Sequence, residues 1–183
     1  MTREEALESV KANVENANMI KHMLATEAVM RAMARRLGGD EKEWGLAGLL
    51  HDIDVELTEG DMNSHGKLGA DLAREMGTSE NVARAILCHN ATLGVPCRST
   101  LEKALYCTDP LTGLITAVAL VHPDKKLAGV EVSSVQKRFK SKAFAAGASR
   151  EQIAQCRECG LELDEFMELG LNAMKGIAGT LGL

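Results

Sequence analysis

The chain has 183 residues, 45% of them hydrophobic, which is enough for one domain with a full core and short for two. A net charge of −5 and an aromatic content of 3% argue against a protein that coats phosphates or stacks bases, so no nucleic acid polymer is expected as a partner. The acidic N-terminus and an apolar run of only 111–121 predict neither a signal peptide nor a membrane span, and five scattered Cys read as reduced thiols in the cytoplasm. With few aromatics, the core falls to Ala, Leu, Val and nine Met, which suits packed helices better than sheets. Thr2 and Glu5 form a capping box that opens a helix fading near 16–18. Met19, Met23, Ala25, Met30, Met33, Ala34 and Leu37 then keep helical spacing until Gly38-Gly39. Asp40 caps a helix through Trp44 and Leu50 that stops at His51-Asp52-Ile53-Asp54, and the polar stretch 52–63 reads as a loop. A helix over 64–76 ends at Gly77, and Ser79 caps another from Glu80 to about Asn90. Ser99 or Thr100 starts a helix running toward Asp109, and Pro110 is expected to begin a fresh one through Val121. Three more helical stretches are expected over 133–145, 149–159 and 163–181. No repeat or linker interrupts the series, so the fold expected is an all-α, single-domain bundle over 1–183.

Four of the five His lie in the first half, beside predicted helix ends. His22 falls within one helix, His51-Asp52 at the end of the next, His65 and His89 on the two after that, and Asp109 on a third. The His-Asp pair alone is common by chance, whereas the ordered set is a stronger signal. That order, with the strings GLLHDID, SHGKLGADLAREMG, AILCHN and ALYCTDPLTGLI, resembles the HD-domain superfamily of metal-dependent phosphohydrolases and its HDIG subgroup. The resemblance spans about 19–121, and the helices over 133–183 add no ligand motif. It departs from the subgroup at Ile53-Asp54, where HDIG proteins have Ile-Gly. The resemblance implies an HD-type helical bundle with a metal centre of His22, His51, Asp52, His65, His89 and Asp109.

Imidazole and carboxylate together suit divalent transition metals, Fe or Mn first and Zn, Ni or Co after them, and are too nitrogen-rich for Ca or Mg alone. His22, His51, Asp52 and Asp109 hold one ion in this reading. The second oxygen of Asp52 bridges to another ion held by His65 and His89, so two ions are expected. Two close cations lower the pKa of a shared water toward about 7 from roughly 15.7, which gives hydroxide at neutral pH. The expected reaction is hydrolysis of a phosphoester or phosphoanhydride in a nucleotide or other small phosphorylated metabolite. Asp52 and Asp54 are the candidate catalytic residues; Asp54 and its neighbour Glu56 otherwise read as solvated loop carboxylates. Lys125, Lys126, Lys137, Arg138, Lys140 and Lys142 form either a solvated charge run or a patch that steers a small anionic substrate. The competing functions are a di-iron oxygenase with the same ligand set and a non-catalytic metal- or nucleotide-binding module. Residue by residue, His22 also reads as a core histidine, Asp109 as a helix cap, and His122 as a helix end. Cys156-x-x-Cys159 lacks a second pair to complete a zinc site, and Cys88 and Cys107 read as core filling. Nothing in the residues sets the oligomeric state.

Overall fold

The computed structural model describes residues 1–183, and it is helical throughout, with no strand. Its helices are α1 (Arg3–Asn13), α2 (Ala17–Leu37), α3 (Glu41–Leu50), α4 (Lys67–Glu75), α5 (Glu80–His89), α6 (Thr100–Val121), α7 (Val132–Lys140), α8 (Arg150–Ala154), α9 (Leu163–Gly176) and α10 (Ala178–Leu181). The caps follow the sequence closely. Thr2 and Glu5 form the capping box of α1, the Asn16 side chain accepts from the first amides of α2, and Gly38 ends α2 in the left-handed region at φ 74°. The core is built as the composition requires, from Met23, Met30, Met33, Leu49, Leu50, Leu111, Leu114, Ile115 and a single fully buried Phe166.

Two features bring the site elements together. The first is a backbone-to-backbone contact of α2 with α3 at Gly48, where an added Cβ would sit 2.9 Å from Cα of Glu27. That closeness lets the start of α2 and the end of α3 meet. Glu27 itself is buried, and it is neutralised by Arg3 of α1 at 2.6 Å and by Arg31 at 2.9 Å.

The second is α6, which is one continuous helix and not two. Proline removes the amide that would bond the carbonyl four residues back and crowds that carbonyl, which normally ends a helix. Here the freed carbonyl of Tyr106 accepts from Nε2 of Gln152 on α8 at 3.4 Å, so Pro110 stays buried inside the helix. The joined helix is long and apolar enough to cross a membrane by composition, but 61% of its most apolar stretch is buried inside the bundle, as in a core helix. It packs against α2, α5, α7, α8 and α9.

Other boundaries shift for local reasons. Helix α4 starts only at Lys67, because Gly66 has φ 83°, so His65 lies on the turn before the helix and not within it. Helix α7 stops at Lys140, earlier than expected. The Arg150 guanidinium, with no carboxylate partner, instead donates to the carbonyls of Arg138, Phe139, Ser141, Phe144, Ala145 and Ala148, at 2.5 to 3.1 Å. One side chain thereby folds the whole 138–148 segment into a compact loop. The stretch 149–159 divides into α8 and a 3₁₀ turn, and 163–181 divides at Ile177.

Gly48→Ala is expected to force α2 from α3 and to lower stability by about 1–3 kcal/mol, measured by thermal melting. Arg150→Ala is expected to cost about 2 kcal/mol and to open the 141–148 segment to limited proteolysis, while far-ultraviolet dichroism keeps its helical signature.

Candidate metal centre

The structure brings all six of the ligand candidates into one cluster. His22 comes from the first turns of α2, His51-Asp52 from the end of α3, and His65 from the turn before α4. His89 is the last residue of α5, and Asp109 lies in mid-α6. The two oxygens of Asp52 divide the histidines. Oδ2 lies 3.5 Å from Nε2 of His22 and 3.2 Å from Nε2 of His51, whereas Oδ1 lies 3.3 Å from Nε2 of His65 and 3.4 Å from Nε2 of His89. Asp109 closes the first group, its Oδ1 3.0 Å from His22 and 3.7 Å from His51. Within each group the imidazole nitrogens face each other directly, at 3.2 Å for His22 and His51 and 3.1 Å for His65 and His89.

The outward nitrogens explain this orientation. Nδ1 of His51 meets the Gly48 carbonyl at 2.8 Å, and Nδ1 of His89 meets the Ile86 carbonyl at 2.5 Å. Nδ1 of His65 meets Oδ1 of Asp54 at 2.8 Å. These three partners only accept, so each Nδ1 carries a proton and donates it. His22 follows by elimination: the Thr112 hydroxyl donates to the Asp109 carbonyl at 2.8 Å and accepts from Nδ1 of His22 at 3.1 Å. Four Nε2 lone pairs therefore converge on two carboxylates. Such an arrangement calls for positive charge in its midst, and outer partners of this kind are what orient metal-binding imidazoles. Groups of three ligand atoms, His22-His51-Asp109 and His51-Asp52-His89, lie within 4.8 Å of one another, so the donor set fits divalent metal ions.

The proton equilibria express the same demand. Burial opposes charge on His51, yet Asp52 and Asp109 hold its pKa well above the usual imidazole value. Burial also opposes charge on His65, but Asp52 and Asp54 push its pKa up to about 9. For Asp52 and Asp109 burial favours the neutral acid, and the surrounding imidazoles overcome it and hold both carboxyls below their ordinary range.

Asp54 is no loop carboxylate in solvent. It is fully buried: Oδ1 meets His65, and Oδ2 accepts from the amides of Gly66 at 2.8 Å and Gly69 at 2.7 Å. It caps α4 from outside that helix, since Gly66 has no side chain to do so. Asp54 thus stands behind His65, turned away from the open side of the cluster. Glu56 accepts from the amides of Glu15 and Asn16 and joins the 52–66 segment to the α1–α2 link.

Other residues stand apart from the cluster. His122 caps the end of α6 and pairs with Asp124. Lys137 and Lys140 lie on α7, Arg138 stacks on the Phe144 ring at 4.5 Å, and Lys125 and Lys126 lie on the exposed link after α6. Lys142 borders a cavity of about 250 Å³ on the 146–151 loop. None of these six cations lines the two cavities that open on His22. Cys88 and Cys97 touch at 2.8 Å, and all five cysteines are free thiols. The sequence reading missed Thr112, and it missed Asn90, whose amide ties down the carbonyls of Met62 and His65. Their positions, one turn after Asp109 and directly after His89, were the available signals.

The HD domain family model matches residues 19–112, which is 94 of the 183. The Ribonuclease Y of Oleidesulfovibrio alaskensis is 33% identical over 137 residues, covering 73% of this chain and 26% of that protein. The Ribonuclease Y of Sulfurovum sp. is 33% identical over 138 residues with the same coverage, and that of Pelobacter propionicus is 37% identical over 73 residues, 40% of this chain and 14% of that protein. The chain spans about a quarter of the length of the first two relatives. No solved structure matches it. The name these relatives share is that of a ribonuclease, which overturns the expectation that no nucleic acid polymer is a partner. That expectation rested on a net charge of −5 for the whole chain, whereas phosphate at a cluster of this kind meets charge supplied locally by bound cations. A match over more than half its length, with the His, His-Asp, His, His and Asp positions meeting in space, places the chain in the HD-domain family of metal-dependent hydrolases.

Proposed function

We propose that the chain is a metal-dependent phosphohydrolase that cleaves phosphodiester bonds of RNA or of its short nucleotide fragments. The observation that carries this reading is the convergence of four oriented Nε2 atoms on a carboxylate whose two oxygens serve different imidazole pairs. His22, His51, Asp109 and Oδ2 of Asp52 would hold one divalent transition metal ion, and His65, His89 and Oδ1 of Asp52 a second. Such ions, Fe or Mn for this donor set, supply Lewis acidity and lower the pKa of bound water toward about 7. The choice of RNA rests on the ribonuclease name of the relatives.

The chain's own residues divide the remaining work. Asp52 is the shared group that couples the two imidazole pairs. The Gly48 and Ile86 carbonyls, the Asp54 carboxylate and the Thr112 hydroxyl hold the four rings in the tautomer whose Nε2 lone pairs point inward. Asp54 is a positioning residue, because it acts through His65 and the first turn of α4. His22 and Asp109 form the accessible edge: their side chains are 21% and 28% exposed, against 10% or less for the other four. Substrate phosphate must approach across that edge.

Protein loaded with Mn²⁺ or Fe²⁺ is expected to cleave a labelled single-stranded RNA or a dinucleotide and to lose that activity in EDTA. Asp52→Asn should lose activity by about a thousandfold or more together with its bound metal, read by plasma mass spectrometry. Full metal occupancy without cleavage of RNA, dinucleotides or a phosphoester panel would sink the proposal. Asp54→Ala leaves two buried amides and the His65 ring without an acceptor, so it should weaken metal affinity by about 10- to 100-fold and cost about 1–3 kcal/mol of stability. Metal titration and thermal melting check the two effects separately.

A further inference from the structure

The accessible edge of the cluster opens into two cavities. The larger, of about 460 Å³, lies between the first turns of α2, the C-terminal half of α6 and the C-terminal residues 181–183, with Gly182 beside the Lys21 ammonium; Asn18, His22, Gly113, Thr116 and Leu120 are also among its walls. The smaller, of about 300 Å³, is bounded by Asp109, Pro110 and, from the loop that Arg150 folds, Ala145, Gly147 and Ala148. The residues common to the two are His22 and Gly113. Both cavities therefore border the exposed His22 edge of the ligand cluster and, beside it, a glycine.

Gly113 has no structural reason to be glycine. It lies inside a 22-residue helix, where glycine costs about 1 kcal/mol relative to alanine. Its φ is not positive, and a Cβ built on it meets nothing within 4 Å, so no neighbouring element needs the space. By contrast, Cβ atoms at Gly48 and Gly170 would collide with neighbours. Gly113 stands one helical turn beyond Asp109 and shares its face. Where the two cavities share Gly113 as a wall, no side chain stands between them. Lys21, adjacent to His22, supplies the charge there. Arg31, Arg35 and Arg36, further along α2, are ion-paired, whereas Lys21 has no carboxylate partner.

We propose that the larger cavity is a nucleotide subsite joined to the metal cluster across Gly113, in which Lys21 binds the phosphate next to the one being cleaved. This rests on the hydrolase reading above and narrows its substrate to nucleotide chains that carry at least two phosphate groups, the scissile phosphodiester and its neighbour. A single phosphoester has no neighbouring phosphate for Lys21. The volume lies within the range of small-molecule sites, and walls of Leu120 with Thr116 and Asn18 offer a sugar and base one apolar and one polar side.

The test compares wild-type protein with Lys21→Gln and Gly113→Leu, the second of which raises helix propensity. Fluorescence anisotropy of a labelled five-nucleotide 2′-O-methyl oligoribonucleotide on Mn²⁺-loaded protein reads binding without turnover. Parallel assays read kcat/KM for the unmodified oligonucleotide and for bis(p-nitrophenyl) phosphate. Each substitution is expected to raise Kd about tenfold and to lower the oligonucleotide-to-ester ratio of kcat/KM by a similar factor. Unchanged Kd in both variants, an equal fall on both substrates, or no binding of the oligonucleotide by wild-type protein would overturn the subsite. Oligonucleotide binding that depends on Lys21 and Gly113, without hydrolysis of either substrate, would support the subsite while refuting the hydrolase reading.

Discussion

The whole architecture answers one electrostatic constraint: four imidazole nitrogens and two carboxylates point at each other in a largely buried space. Left alone, converging lone pairs repel, and each buried carboxylate loses its hydration. The protein makes the arrangement tenable by fixing every ring from behind and by leaving the inward side for positive charge. The raised pKa of His51 and His65 and the depressed pKa of Asp52 and Asp109 are one fact seen from both sides. Protons and metal ions compete for the same lone pairs, and the cluster has a place for one or the other.

Meeting that constraint requires five chain segments to reach one point, which dictates the packing. Helices α2 and α3 touch at Gly48 without an intervening side chain, and that same residue's carbonyl holds the His51 ring. Glycine therefore sets the distance between the helices and supplies a carbonyl that holds a ligand. Helix α6 serves in a similar double way. Asp109 is a ligand candidate, Pro110 follows it directly, and Thr112 both fixes His22 and bonds the Asp109 carbonyl. Because proline carries no amide, the carbonyl of Tyr106 would be an orphan in most helices. Gln152 turns that defect into a tie between α6 and α8.

Helix order and several caps were legible in the sequence because they depend on neighbours in the chain: Thr2 with Glu5, Gly38, Asp40 and Ser79 act within a few residues of themselves. The misread boundaries depended on distant partners. Pro110 reads as a helix start unless Gln152 is known to lie beside Tyr106, and the 138–148 segment reads as helix unless Arg150 is known to collect its carbonyls. The site divides in the same way. An ordered set of His and Asp is visible as a family pattern, but the role of a polar residue such as Asp54 is decided by what its carboxylate faces. The polar stretch around it suggested solvent, and the structure buries it instead, because the first turn of α4 has no capping side chain of its own.

Asp54 also bears on the chain's departure from the HDIG pattern. A glycine at that position could neither accept from His65 nor cap α4, so in this chain one residue replaces flexibility with two fixed acceptors. The consequence falls unevenly on the cluster. The ring of His65 is held by a buried charge, while His22 is held by a neutral hydroxyl at the exposed edge. A charged acceptor makes a stronger, shorter hydrogen bond and a more basic imidazole than a neutral one. The His65 ring is thus the more firmly oriented, and the outer side, next to Lys21 and Gly113, is the more exposed half of the cluster.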